Sequence, residues 1–246
     1  MEQNPLPIDP LLLSATPILT YFGEALQTNA TGFFFKRDET LYLVTSLHVF
    51  CDEKNNHRPD RLQIKFHDDP GNIASSIEYS IPLYNAGTPL WVSSSDASGD
   101  IDVAVIKIDP TALPPHVIYT AFTPDTLLSN QETIEIGTSM LIVGFPLGFY
   151  DTLHKLPVVR DAINASSFAM RFQGNGYFLT DGRTHRGSSG APVVCKDRRD
   201  GQREMPWRLL GIHSARFDVS GRDLQKDEAL GLNCAWFADI LLRLTD

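Results

Sequence analysis

Apolar runs of roughly four to eight residues, each closed off by glycine, proline or a polar cluster, set the strongest limit on how this chain folds. Pro17 to Tyr21, Gly32 to Phe35, Leu41 to Thr45, Arg61 to His67 and Val103 to Ile108 are such runs in the first half. Ser139 to Phe145, Phe168 to Phe172, Tyr177 to Thr180, Ala191 to Cys195 and Leu209 to His213 repeat the pattern in the second. Gly23 to Ala30 reads as a turn, Lys36 to Thr40 as a hairpin turn, and Asp197 to Glu204 as a charged hairpin loop. Helical spacing occurs only at Ala238 to Leu244, which puts Ile240, Leu241 and Leu244 on one face. The expected class is all-β, a barrel or sandwich with one short C-terminal helix.

Length sets the number of cores. With 246 residues, 42% hydrophobic and 21% charged, the chain suits a folded protein with two modest cores. Thr111 to Glu132, which holds Pro114, Pro115, Pro124 and Ser129-Asn130-Gln131-Glu132, is the expected connection. It divides the chain into units 1–120 and 121–246. The net charge of −9 opposes phosphate backbones and anionic lipid, so no nucleic-acid or membrane partner is expected. Cys51, Cys195 and Cys234 are odd in number and far apart, which fits neither a disulfide framework nor a zinc site. With no signal-like n-region in Met1 to Pro10, the expected location is the cytoplasm. No His-Glu-x-x-His or other clustered ligand set occurs, and no metal or cofactor is expected.

Three residues carry the chemistry. Ser189 lies in Gly187-Ser188-Ser189-Gly190-Ala191-Pro192. A serine hydroxyl is a weak nucleophile that needs a base and donors for the oxyanion formed on attack. The flanking glycines let the chain turn so that the Gly187 and Ser189 amides converge. His48 follows the run Leu43 to Leu47 and is the residue type best able to take a proton near neutral pH. Asp102 opens the run Val103 to Ile108 and can orient the imidazole. Asp100, two residues earlier, competes for that role, but Asp102 directly precedes Val103-Ala104-Val105. Taken singly, each residue has an ordinary structural explanation. Their order along the chain, His then Asp then Ser, is that of one group of serine proteases.

Thr31-Gly32-Phe33-Phe34 with Leu43 to Val49 resembles the strand pair that presents the histidine in chymotrypsin-fold serine proteases. Asp102 to Ile108 looks like their aspartate strand, and Gly187 to Pro192 like their nucleophile loop. Gly144-Phe145-Pro146-Leu147-Gly148 is similar to a segment common in bacterial members. The resemblance implies two packed six-stranded antiparallel β-barrels with a short C-terminal helix. His48 and Asp102 would come from the first barrel and Ser189 from the second, forming a triad at their interface. Ser188 stands where vertebrate digestive enzymes carry the aspartate of their zymogen switch, so that switch is absent.

The pocket for the residue before the scissile bond is also suggested by resemblance. Thr184 and Gly211-Ile212-His213 are similar to a Thr and His pair of glutamyl endopeptidases and staphylococcal exfoliative toxins, which contacts an acidic P1 side chain. Arg183 and Arg186 would favour such an anion. The expected function is therefore a serine endopeptidase acting on protein or peptide substrates, with an acidic P1 residue. The alternative is a degenerate protease-like module that binds or scaffolds. A cytoplasmic peptidase also needs restraint, by narrow specificity or by a regulatory partner that no residue identifies.

Overall fold

The computed structural model describes residues 8–129, 132–197, 204–216 and 231–246. Most of the expected loop at Asp197 to Glu204 lies outside them, as do residues 130 and 131 of the polar stretch near Glu132. Among the described residues nine strands precede residue 109: β1 (Ala15–Phe22), β2 (Ala25–Arg37), β3 (Thr40–Thr45), β4 (Arg61–His67), β5 (Ser76–Pro82), β6 (Tyr84–Asn85), β7 (Thr88–Pro89), β8 (Trp91–Asp96) and β9 (Gly99–Ile108). Six follow residue 138: β10 (Ser139–Gly144), β11 (Val158–Asn164), β12 (Tyr177–Asp181), β13 (Pro192–Lys196), β14 (Trp207–Arg216) and β15 (Leu232–Phe237). Two short α-helices are described, α1 (Leu47–Phe50) and α2 (Ile240–Leu244), and α2 buries Leu241 and Leu244 as its spacing predicts. Among the described residues no helix is long and apolar enough to cross a membrane.

The later strands close into a six-stranded barrel in the order β10-β11-β12-β15-β14-β13. The earlier ones differ from the expected six-stranded barrel. Seven form one sheet, β5-β4-β1-β2-β3-β9-β8, whose edge strands β5 and β8 are not paired with each other, and β6 and β7 pair separately. Side chains bridge the gap instead. Trp91 of β8 packs against Tyr84, just past β5, and against Phe50 of α1, with ring centroids 5.1 and 5.6 Å apart. Leu90 N–H donates to Leu83 C=O at 3.0 Å. Ser93, Ser94 and Ser95 make β8 a largely polar, exposed edge, so burial gives it little drive to pair further.

The triplet Phe33-Phe34-Phe35 shows how strand alternation distributes the core. Phe33 and Phe35 point to the seam between the two halves, where they meet Val103, Val105, Val143, Leu209 and Ile212. Phe34 points the other way, into the sheet's own core with Leu43, Phe66 and Ile106. All three are almost fully buried, each contributing about 2–3 kcal/mol of apolar transfer energy. The barrel core is narrower and uses small residues, Ala162, Ala191 and Ala235, beside Met140, Ile142 and Phe178.

Two local expectations fail. Residues 25–30 are strand, not turn, and only Gly23 has the left-handed backbone of a tight turn, with φ +57°. Phe168 to Phe172 forms no strand. Phe168 instead plugs the barrel end, its ring 4.7 Å from Phe178 and 5.0 Å from Phe237. Between β9 and β10 the described residues form no named strand. Buried Arg208 of β14 holds this stretch through Glu132, with two bonds of 2.7 and 2.8 Å, and through Thr126 C=O.

Candidate active site

His48 is placed by a single helical turn. After β3 the chain passes through Ser46 in extended conformation and folds into α1, where Val49 N–H donates to Ser46 C=O and Cys51 N–H to Leu47 C=O. Val49 and Phe50 are buried in the sheet core, and the imidazole remains about one-third exposed. Asp102, near the start of β9, meets it with both carboxylate oxygens. Oδ1 accepts from the His48 backbone N–H at 2.9 Å, and Oδ2 lies 2.8 Å from His48 Nδ1. Ser214 Oγ donates to Oδ2 as well. This arrangement assigns the proton to Nδ1 and leaves Nε2 as the basic nitrogen. Asp100 is exposed at the β8–β9 turn and takes no part in these bonds.

Burial pulls the His48 pKa down, but the hydrogen bond to Asp102 and the charges of Asp102 and Asp52 outweigh it. The net shift is upward from the ordinary value of 6.5. Asp52 itself is held low, chiefly by a hydrogen bond from Asn55, with His48 a smaller contributor.

Ser189 is held by backbone geometry. Gly187 and Gly190 have φ of +90° and +84°. A Cβ on Gly190 would sit 2.1 Å from Thr45 Oγ1 and 2.3 Å from Thr31 O, and one on Gly187 would sit 2.6 Å from Phe145 O. Both positions therefore require glycine on two counts, conformation and space. Thr31 N–H donates to Ser189 C=O at 3.0 Å, and Thr31 Oγ1 to Gly187 C=O at 2.7 Å. Gly190 N–H donates to His213 C=O at 2.7 Å, and Ser46 Oγ reaches the same oxygen at 3.4 Å. The Ser189 loop and the segment leading to His48 thus share an anchor on β14. Among the described residues the Gly187 and Ser189 amides donate to no protein acceptor, which leaves them available to an oxyanion. No hydrogen bond joins Ser189 Oγ to His48, a contact that in ligand-free sites is often made only once substrate is bound.

Thr184 and His213 are both buried in the barrel half. Thr184 Oγ1 donates to Asn233 Oδ1 at 2.5 Å, while Asn233 Nδ2 donates to Gly182, Gly231 and Thr180 carbonyls, which fixes the direction of its amide. Arg183 is exposed, its carbonyl receiving Arg160 Nε at 3.0 Å. Sequence reasoning missed Ser214 as an Asp102 donor and Asn233 as the partner of Thr184. The one available signal was Asn233, the lone polar side chain of β15; Ser214 sits beside His213 in β14 and offers none.

Residues 30–202 match the family described as "Trypsin-like peptidase domain". The match ends before β14 and β15, which carry His213, Ser214 and Asn233. No curated protein sequence matches the chain. Its fold is similar to that of the serine endoprotease from Yersinia pestis, with 18% identity and a TM-score of 0.56. That likeness covers 95% of this chain and 62% of the Yersinia chain, so this chain spans under two thirds of its length. The fold is also similar to that of Rv3671c from M. tuberculosis H37Rv, solved in an inactive serine-to-alanine form, with 14% identity and a TM-score of 0.51. There the likeness covers 99% of this chain and 93% of the other.

Proposed function

The chain belongs to the trypsin-like peptidase domain family, and we propose that it is a serine endopeptidase with Ser189 as nucleophile, His48 as base and Asp102 as orienting acid. The observation that carries this reading is the Asp102 carboxylate, which accepts both the backbone N–H and the Nδ1–H of His48 and so leaves Nε2 as the basic nitrogen. Ser189 Oγ attacks the scissile carbonyl carbon as its proton passes to His48 Nε2. The Gly187 and Ser189 amides receive the oxyanion. Collapse breaks the C–N bond and His48 returns the proton to the leaving amine, giving an acyl-enzyme. Water then attacks with His48 again as base, releasing a carboxylic acid and free Ser189.

A fluorophosphonate probe tests this directly. Attack by Ser189 Oγ forms an O–P bond and expels fluoride, so the expected result is one label on Ser189. Ser189→Ala should lose the label and about 10⁶-fold in kcat. An unlabelled wild-type chain, or peptide cleavage that survives in the variant, would overturn the assignment.

The finer reading is an acidic P1 residue. It is supported by Thr184 and His213 in the barrel behind the nucleophile loop and by exposed Arg183 and Arg186 beside them. The Thr184 proton is engaged by Asn233, so in this reading His213 supplies the hydrogen bond to the substrate carboxylate. A peptide library checks it: cleavage after Glu should exceed cleavage after Gln, Lys and Phe. Equal rates would remove the acidic preference and leave the peptidase reading intact.

A further inference from the structure

A crevice of about 640 Å³ opens on the seam between the two halves, and the chemistry above gives it no task. The sheet contributes Asp96 and Ile101, the barrel Phe168 and Trp236, and α2 adds Ile240 and Arg243. No triad residue borders it, although Ile101 adjoins Asp102 in the chain. Its rim is fastened across the seam. Asp96 pairs with Arg171, and Ser98 Oγ donates to Gly174 C=O at 3.0 Å. Arg37 of β2 donates to Leu242 C=O at 2.6 Å and pairs with Asp246 at 2.8 Å, which ties α2 to the sheet. The opening is thus set by how the halves join.

Floor and rim differ in chemistry. Phe168, Trp236 and Ile240 are only partly buried, each packed on a core and also bordering the crevice. Met170 at the rim is 69% exposed, an adaptable apolar side chain left in water. Most of the bordering charges are committed. Arg171 holds Asp96, and Arg208 holds Glu132 at 2.7 Å. The Asp96 carboxyl is held low first by the Ser98 N–H and then by Arg171, with Arg243 the smallest contributor. Arg243 itself is exposed on the last turn of α2 and makes no hydrogen bond or ion pair among the described residues. The crevice therefore offers burial to an apolar body and one free guanidinium to an anion.

We propose that this seam crevice binds a monomeric medium-chain fatty acid, its chain against Phe168, Trp236 and Ile240 and its carboxylate on Arg243. The size is suitable, since sites of roughly 300–1,000 Å³ hold small organic ligands. One free cation matches one carboxylate, whereas a polyanion requires a row of them. The net charge of −9 also repels polyanions and anionic bilayers, but a single carboxylate at Arg243 is governed by its nearest charges. Asp239, one turn before Arg243, is the nearest like charge on α2 and limits the affinity.

Calorimetric titration of the wild-type chain with octanoate, decanoate and dodecanoate, each below its micelle threshold, tests the site. It needs no turnover, so its outcome is separate from the peptidase reading. Kd should fall about threefold for each CH₂ added. Decanol, of equal length without the charge, should bind about tenfold more weakly than decanoate. Arg243→Gln should erase that difference, and Met170→Asp should weaken decanoate about tenfold. Asp239→Asn should tighten decanoate about twofold. All three positions are exposed, and thermal melts confirm that each variant is folded. Absence of binding, or an affinity indifferent to chain length, overturns the proposal. A decanoate preference that survives Arg243→Gln overturns it too. Undiminished binding in Met170→Asp does the same, by placing the ligand elsewhere on the surface.

Discussion

His48 and Ser189 are held by different physical means. His48 is oriented by charge: its backbone and ring N–H groups both meet the Asp102 carboxylate, which Ser214 steadies from β14. Ser189 is placed by shape: two glycines with positive φ press the loop against Thr31, Thr45 and Phe145, and backbone bonds lock it there. The first arrangement responds to pH and to side-chain chemistry. The second responds to a single added methyl group.

Three measurements bear on that contrast. Asp102→Asn leaves the fold intact but offers His48 Nδ1 an amide in place of a carboxylate, so kcat should fall about 10⁴-fold with little change in Tm. A comparable fall in Tm would show that Asp102 is mainly a structural residue. Gly190→Ala should act the other way round. A Cβ placed 2.1 Å from Thr45 Oγ1 forces the loop to move, costing on the order of 3 kcal/mol and roughly 6–12 °C in Tm. A smaller loss of activity, about 10²-fold, should accompany it. An unchanged melt would mean that the loop adapts and is not held by close packing.

The smallest effect is the pH profile. Because the His48 pKa lies above 6.5, the acid limb of kcat/KM should lie above that value and move down in Asp102→Asn, where only the smaller influence of Asp52 still opposes burial. Stability should follow the opposite course. A raised histidine pKa stabilises the fold fully below the unfolded value, and that contribution is lost as pH rises through the folded one. Activity therefore rises across the window in which this part of the stability falls. A limb at or below 6.5 in the wild-type chain would contradict the charge-based account of His48.

The sequence is legible where one face of a strand is buried. Leu41 to Thr45, Arg61 to His67 and Val103 to Ile108 announce β3, β4 and β9 because their apolar residues face a core. Strands β5, β8 and β11 escape notice because much of each is exposed and their polar residues read as loop. Phe168 misleads in the opposite direction, an aromatic residue packed half-buried from a loop with no strand to pair. At the site, His48, Asp102 and Ser189 stand out by residue type and setting. Ser214, Asn233 and Thr31 do not, because their partners lie 112, 49 and 156 residues away in the chain and only the fold brings them together. The open seam of the first sheet is likewise invisible, since closure depends on how two edges meet in space.

The carbonyl of His213 has a mechanical consequence. One oxygen receives both Gly190 of the nucleophile loop and Ser46, two residues ahead of His48. It works like a shared hinge pin between two arms. When β14 shifts or bends, both arms are pulled with it, alongside the bonds of Thr31 to the Ser189 carbonyl and of Ser214 to Asp102.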